Sequence, residues 1–317
     1  MPGISVHRVT KYDPADRDEN GWYVGPLDSG CDEGPVEAAY LEVVAAFARA
    51  AGVEWLTVRD PELSGVVHFG TGPVLAGHGL RGLFAEPAGF HDGARVDLAT
   101  AIELVRVMLR ESGAWCLLEA EERFFVHVGQ DQYLYIGTAG PVGPGVARAR
   151  ELGLFPEPQA GSPYAPRPDG STPEPPADEG YWARLRLAVA AGEVHLLEER
   201  FVANSSRWHR LTPGTVDAVR AGLAPRSRLA ARRDPLTADP DAVLGPLDPA
   251  DCHHVLREYA DGRLAACWLD PEDRAESAEA LAGVRRLAVL VHDDSDPRFT
   301  AVLPDPDGVV RVRGGDA

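Results

Sequence analysis

The chain has 317 residues, more than one average core needs, with 44% apolar and 25% charged types, so it can bury sizeable cores without metals or disulfides. Its 49 acidic residues outnumber 31 basic ones, a formal charge of -18 at pH 7, and this field, with no long basic run, disfavours nucleic acid as a partner. The surplus is distributed, since residues 1–150 hold 21 acidic and 12 basic side chains, and the partner it attracts is a basic protein.

Lys11 is the only lysine, which excludes lysine-nucleophile chemistry anywhere else, because arginine stays protonated. Cys31, Cys116, Cys252 and Cys267 are too sparse to staple a chain of this size. No apolar run approaches the roughly 18–20 residues of a membrane span, and no leader pattern opens the chain. A cytoplasmic location with no membrane contact is the expectation.

In chain order, Ile4–Val9 alternates with period two and reads as a strand. A polar stretch follows from Asp13 to Pro35. Val36, Ala39, Tyr40, Val43, Val44 and Phe47 recur at helical spacing, with Gly52 placed to end the helix. Trp55–Val58 and Val66–Phe69 suggest strands. A second helix is expected after Asp97, whose carboxylate can cap it. Ala114–Glu119, Arg123–Val128 and Gln132–Ile136 read as a three-stranded antiparallel ribbon.

From Pro156 to Asp178 the sequence holds Pro156, Pro158, Pro163, Pro166, Pro168, Pro173, Pro175 and Pro176. Without amide hydrogens these residues interrupt helices and ladders, which predicts a linker or long loop over 156–178. Beyond it, 181–191 reads as a helix, Val194–Leu197 as a strand entry, and Thr212–Pro213 as a helix start. Residues 251–313 form the clearest subunit: a hairpin about Asp261–Gly262, a helix after Asp270–Pro271, then strands at Val284–Val291, Phe299–Leu303 and Val309–Val312. The expected fold is therefore α+β in two parts, 1–155 and 179–317, with small mixed or antiparallel sheets packed by helices and joined by the proline-rich segment.

Four clusters carry chemistry. The acidic run Lys11–Gly21 has the oxygen ligands of a hard cation but lacks the calcium-loop glycine and closing glutamate. It reads as a capped loop, with Trp22 and Tyr23 beside it able to anchor a partner. Phe125 and His127 share a strand face, and Tyr133 and Tyr135 share one on the next strand. Together they make an aromatic patch with one titratable centre, suited to sheet packing or to binding, and to acid–base work if carboxylates among Glu119, Glu121, Glu122 and Asp131 converge on His127. In the segment Glu198–Arg210, Arg207, Trp208 and Arg210 could stack on a base or meet phosphate, with His209 among them. The same residues could instead cap the turn before Thr212 and pair with Glu198 or Glu199. Cys252, His253, His254 and Cys267 lack the close ligand pair of a zinc site, so no metal is expected.

No Gly-x-Gly-x-x-Gly loop follows the first strand, no Walker loop, His-Glu-x-x-His helix or Gly-x-Ser-x-Gly elbow occurs, and no cofactor is expected. The charge and the aromatic clusters point to an acidic intracellular protein-recognition protein, toxin-neutralising or regulatory, whose surface is built from Trp22, Tyr23, Phe125, His127, Tyr133, Tyr135, Arg207, Trp208 and His209. The competing expectation is a small-molecule or nucleic-acid-processing enzyme with a cleft between its two parts, drawing on Glu119, His127, Arg207, Trp208 and His209.

Overall fold

A computed structural model describes residues 3–25, 34–63, 80, 82–84, 89–129, 132–165, 174–203, 205–248, 251–270, 272, 274–290 and 297–311. The fold is α+β, with seven-, four- and three-stranded antiparallel sheets and seven α-helices among the described residues. Two compact units divide in sequence at Asp169 and Gly170.

In the first unit the strands are β1 (Ser5–Thr10), β2 (Trp55–Leu63), β3 (Arg95–Asp97), β4 (Ala114–Ala120), β5 (Phe124–Val128), β6 (Leu134–Thr138) and β7 (Phe155–Gln159). They lie in the order β3-β2-β4-β5-β6-β1-β7. Helices α1 (Pro35–Ala50) and α2 (Leu98–Leu109) follow the periodicities read above, and the Asp97 carboxylate caps α2 by accepting from the Thr100 amide at 2.8 Å. The α3 helix (Gly143–Glu151), with few apolar positions to announce it, sits against α1. Gly145 makes this approach possible, since a Cβ there would lie 2.4 Å from the Phe47 ring. Strand alternation sends Val9, Val58, Leu118, Phe124, Val126 and Ile136 into the core, each almost fully buried. A buried carboxylate ties the helices together: Glu37 on α1 accepts from Arg106 at 3.0 Å and Arg110 at 2.6 Å on α2.

The ribbon is present as β4, β5 and β6, paired in sequence order. The proline-rich stretch, by contrast, does not begin as a linker. Pro156 and Pro158 lie within β7, which pairs with β1 at the sheet edge. A missing amide is tolerated there because the outer side of an edge strand has no ladder to complete. Their alternation leaves Phe155, Glu157 and Gln159 with amides to offer β1. Pro176 forms a bridge with Val302, and Asp178 caps the next helix. The expectations for Val66–Phe69 and for residues 166–173 fall outside the described residues.

The second unit is layered. Helix α4 (Glu179–Ala190) packs on a sheet of β8 (Leu196–Val202), β9 (Ser205–Arg210), β10 (Arg228–Arg232) and β14 (Phe299–Val302), in the order β14-β10-β8-β9. Trp182, Leu185, Leu197, Leu229 and Ala301 share that core. The opposite face meets a sheet of β11 (His253–Tyr259), β12 (Leu264–Leu269) and β13 (Val284–Val289) through Leu196, Trp208, Leu256 and Ala288. Short helices α6 (Pro240–Leu244) and α7 (Arg274–Leu281) lie against this second sheet.

Three expectations change here. Helix α5 (Val216–Ala221) starts a turn later than Thr212–Pro213, because the Thr215 hydroxyl receives the Thr212 amide at 2.8 Å and closes a turn first. Strands β9 and β10 arise where the sequence reading places no strand. The 251–313 subunit also does not hold together as one sheet: β14 crosses to pair with β10, burying Ala301 completely beneath α4, and residues 309–311 add no strand.

Glu199 is the hinge pin of the second unit. Fully buried, it accepts from Arg207 at 2.7 and 3.0 Å, His209 at 2.7 Å, the Ala224 amide at 2.7 Å and the Ser227 hydroxyl at 3.0 Å. Burial alone would raise its carboxyl, but the bonds from His209, Arg207 and Ala224 outweigh that and hold it down at about 2. A depressed carboxyl contributes stability that is complete above its ordinary value of 4.5 and is lost as pH falls toward about 2. That difference corresponds to about 3 kcal/mol. Chemical denaturation of Glu199→Gln at neutral pH should show a loss of about 3–5 kcal/mol, with a shallower acid limb below pH 4.5 than the parent. Parallel acid limbs in the two proteins would contradict this role.

Candidate functional site

Pairing across the seven-stranded sheet defines its second, more polar face. His127 stands opposite Tyr135 and Leu117, Phe125 opposite Gly137 and Glu119, and Arg8 opposite Tyr135 and Glu157. Phe125 can lie flat because Gly137 has no side chain: a Cβ there would lie 2.1 Å from the Phe125 ring. The Phe125 ring then stacks on His127 with centroids 4.3 Å apart. The aromatic patch expected from sequence thus pairs differently, with His127 on Tyr135 and Phe125 over a glycine.

Only 1% of His127 is exposed, and its ring lies between two polar groups. Nδ1 is 2.8 Å from the Ser162 hydroxyl, and Nε2 is 3.5 Å from a Glu119 oxygen. A carboxylate, an imidazole and a hydroxyl in line are the parts of a proton relay. Ser162 also opens a turn, its hydroxyl oxygen accepting the Tyr164 amide at 3.2 Å. The same turn docks Tyr164 against Trp115 and Tyr135, over the position of Gly129, where a Cβ would come within 2.5 Å of the ring. The arrangement fastens 162–165 to the sheet as a strap. Burial pushes the Tyr135 phenol up, against the opposing pull of Arg8.

Next to the strap, Glu157 accepts from Arg8 at 2.6 Å and pairs with Arg17 at 3.2 Å. Arg17 belongs to a small hairpin that follows β1. Its arms are joined by the Arg17–Tyr23 bridge, by the Val24 amide on Asp16 O at 2.8 Å and by the Asp18 amide on Trp22 O at 2.9 Å. The Asp18 carboxylate closes the tip, accepting from the amides of Asn20 at 2.9 Å and Trp22 at 2.8 Å. Tyr23 packs on Tyr12 at 4.7 Å, and Tyr12 meets Tyr133 edge-on at 5.8 Å, so the hairpin base is anchored by rings. Its outer side leaves Trp22 73% and Val24 66% exposed, among exposed Asp16, Asp18 and Glu19. The acidic run is therefore a built loop whose carboxylates partly serve the backbone.

The remaining candidates lie in the second unit. Arg207 and His209 both bond Glu199, and Trp208 is 7% exposed in the core between the two sheets. This triplet builds structure in alternating directions. His253 bonds the Asp248 carbonyl at 2.7 Å, His254 stacks on Trp268 at 4.9 Å, and Cys267 stands opposite Val255. Among the described residues no group of three or more His, Cys, Asp or Glu side chains gathers around a possible metal position, and no helix is long and apolar enough to cross a membrane.

Sequence reasoning brought Glu119 and His127 together but missed Ser162, Tyr164, Arg8 and Glu157. Arg8 was findable, because the period-two pattern of β1 places it on the face opposite Val9. Ser162 and Tyr164 were hidden by the proline-rich surroundings. The strap yields a direct test. Ser162→Ala leaves the buried His127 nitrogen without its partner, a loss of about 1–3 kcal/mol, and Gly129→Ala displaces the Tyr164 ring. Hydrogen exchange followed by mass spectrometry should show faster exchange over 162–165 in both variants while β5 and β6 stay protected. Unchanged exchange there would remove the strap from the account.

Compared with family models, curated proteins and solved structures, the chain matches none of them.

Proposed function

We propose that the chain is a protein-recognition protein that docks a basic partner on the Trp22 hairpin. The observation that carries this reading is a tryptophan 73% exposed at the rim of a loop whose backbone is fixed by its own hydrogen bonds. A large ring carried on a backbone already ordered in the free protein adds only its own side-chain ordering to the cost of binding, which suits an anchor residue. Asp16, Asp18 and Glu19 surround the anchor in sequence and are exposed, and the chain carries a net charge of -18. Such a field speeds encounter with a cationic surface, while the buried ring slows dissociation. A basic enzyme neutralised by an acidic binder is one partner with this chemistry; the reading extends equally to a regulatory target.

Roles divide within the hairpin. Tyr12, Tyr23, Tyr133 and Arg17 hold it on the sheet, Asp18 shapes the tip, and Trp22 with Val24 forms the contact. Phe125, His127 and Tyr135 support this unit from the strap side. Trp208 and its neighbours play no part in the contact.

Affinity capture from the source organism's native lysate, with the parent and Trp22→Ala as parallel baits, tests the proposal. The expected result is a basic protein held by the parent, released by raised salt and lost from Trp22→Ala. With that protein purified, Trp22→Ala should weaken binding by about 2 kcal/mol or more. A double variant, Asp16→Asn with Glu19→Gln, should chiefly slow association and flatten its salt dependence. Identical captured sets from both baits would overturn the reading.

A further inference from the structure

A second recognition chemistry lies on the other unit, on the solvent side of α4. The helix turns Tyr181, Trp182, Leu185 and Val189 into the core. A separate stripe at i, i+3, i+4 and i+7 spacing consists of Arg184, Leu187, Ala188 and Ala191. Together with Phe299 of β14, Arg298 and Glu193, this stripe lines a groove of about 480 Å³, within the size range of small-molecule sites. Leu187 is 73% exposed there, as exposed as Trp22.

Arg184 gives the groove its character. Its guanidinium carbon lies 4.1 Å from the centre of the Phe299 ring, a stacking arrangement that leaves the hydrogen-bonding edge of an arginine available. Most arginines of this acidic chain are paired with carboxylates; on the same helix Arg186 meets Asp217 at 2.6 Å. Among the described residues Arg184 has no carboxylate or hydrogen-bond partner. Glu193 and Arg298 lie 3.4 Å apart and offset each other, so Arg184 leaves the groove with one net positive charge. Small Ala188 and Ala191 leave room for a flat or narrow apolar body, flanked by Leu187 and Phe299.

We propose that this groove binds an amphipathic monoanion, an aromatic or acyl carboxylate or sulfonate, with the anionic group on Arg184 and the apolar body along Leu187, Ala188 and Phe299. The single net charge selects against polyphosphates, which would face Glu193 without a second free cation. The site is independent of the Trp22 hairpin, so either can fail without the other.

The probe is 8-anilinonaphthalene-1-sulfonate, titrated into the full chain at neutral pH and followed by fluorescence, with N-phenyl-1-naphthylamine as the same ring system without the sulfonate. The expected result is saturable binding of one sulfonate probe per chain, weakened by about tenfold or more in Arg184→Gln, as loss of a charge-assisted hydrogen bond implies. Leu187→Gln should weaken both probes, whereas Arg184→Gln should leave the uncharged one unchanged. Both substitutions are at exposed positions, and unchanged melting curves verify that each variant is folded. Absence of saturable binding to the parent, or equal sulfonate affinity in the parent and Arg184→Gln, would overturn the assignment.

Discussion

Arginine–carboxylate pairing is the interaction on which this structure depends. The buried acidic side chains among the described residues are Glu37, Asp92, Glu198, Glu199, Glu258 and Asp305, and each meets an arginine: Glu37 with Arg106 and Arg110, Asp92 with Arg59, Glu198 with Arg232, Glu199 with Arg207, Glu258 with Arg210 and Arg286, and Asp305 with Arg226 and Arg311. A carboxylate removed from water needs both charge and hydrogen-bond donors. The planar guanidinium fork supplies both where an ammonium would supply a point charge. That gives the near-total replacement of lysine by arginine a structural sense. It also raises the stakes of each pair, because breaking one leaves an uncompensated buried charge.

The pairing bears on the surface as well. The arginines of these pairs keep part of their side chains in solvent, and the chain as a whole retains a surplus of 49 acidic over 31 basic residues. A broadly negative exterior steers without specifying, since a field of that kind attracts many cations. Among the described residues the two most exposed large apolar side chains, Trp22 and Leu187, belong to separate units. Each is presented by a rigid element: a hairpin tied by its own backbone in one case, a three-turn helix in the other.

Much of the fold was legible because periodicity survives in the sequence wherever one face is buried. Helices α1 and α2, the β4–β5–β6 ribbon and the Asp97 cap could all be read that way. Strands β9 and β10 could not, because their apolar residues are few, Trp208 in one and Leu229–Ala231 in the other, and arginines flank them on both sides. Arg207 and His209 look like ligand-binding side chains until Glu199, eight and ten residues upstream, is seen facing them. Edge strand β7 was concealed by prolines that only an edge tolerates, and β14 by a crossover that no local pattern encodes. Of the candidate site, Trp22 and Tyr23 were found through their position after an acidic run. The pairing of Phe125 with Gly137 was missed because register across strands depends on turn length, which composition does not specify.

The hairpin and the seven-stranded sheet are linked through Glu157. Arg8 lies over the Tyr133 ring at 5.1 Å and bonds Glu157, and Glu157 in turn pairs with Arg17 of the hairpin. One carboxylate on the edge strand therefore fixes both the arginine beneath the aromatic anchor and the arginine within the loop. An exposed tryptophan on a loose loop would be a liability for non-specific association, since it could reach many surfaces in many orientations. With Glu157 pairing Arg17 and the Asp18 carboxylate closing the tip, the backbone that carries Trp22 is fixed in the free protein. The same arginine–carboxylate chemistry that serves the interior thus also ties the hairpin to the edge of the sheet.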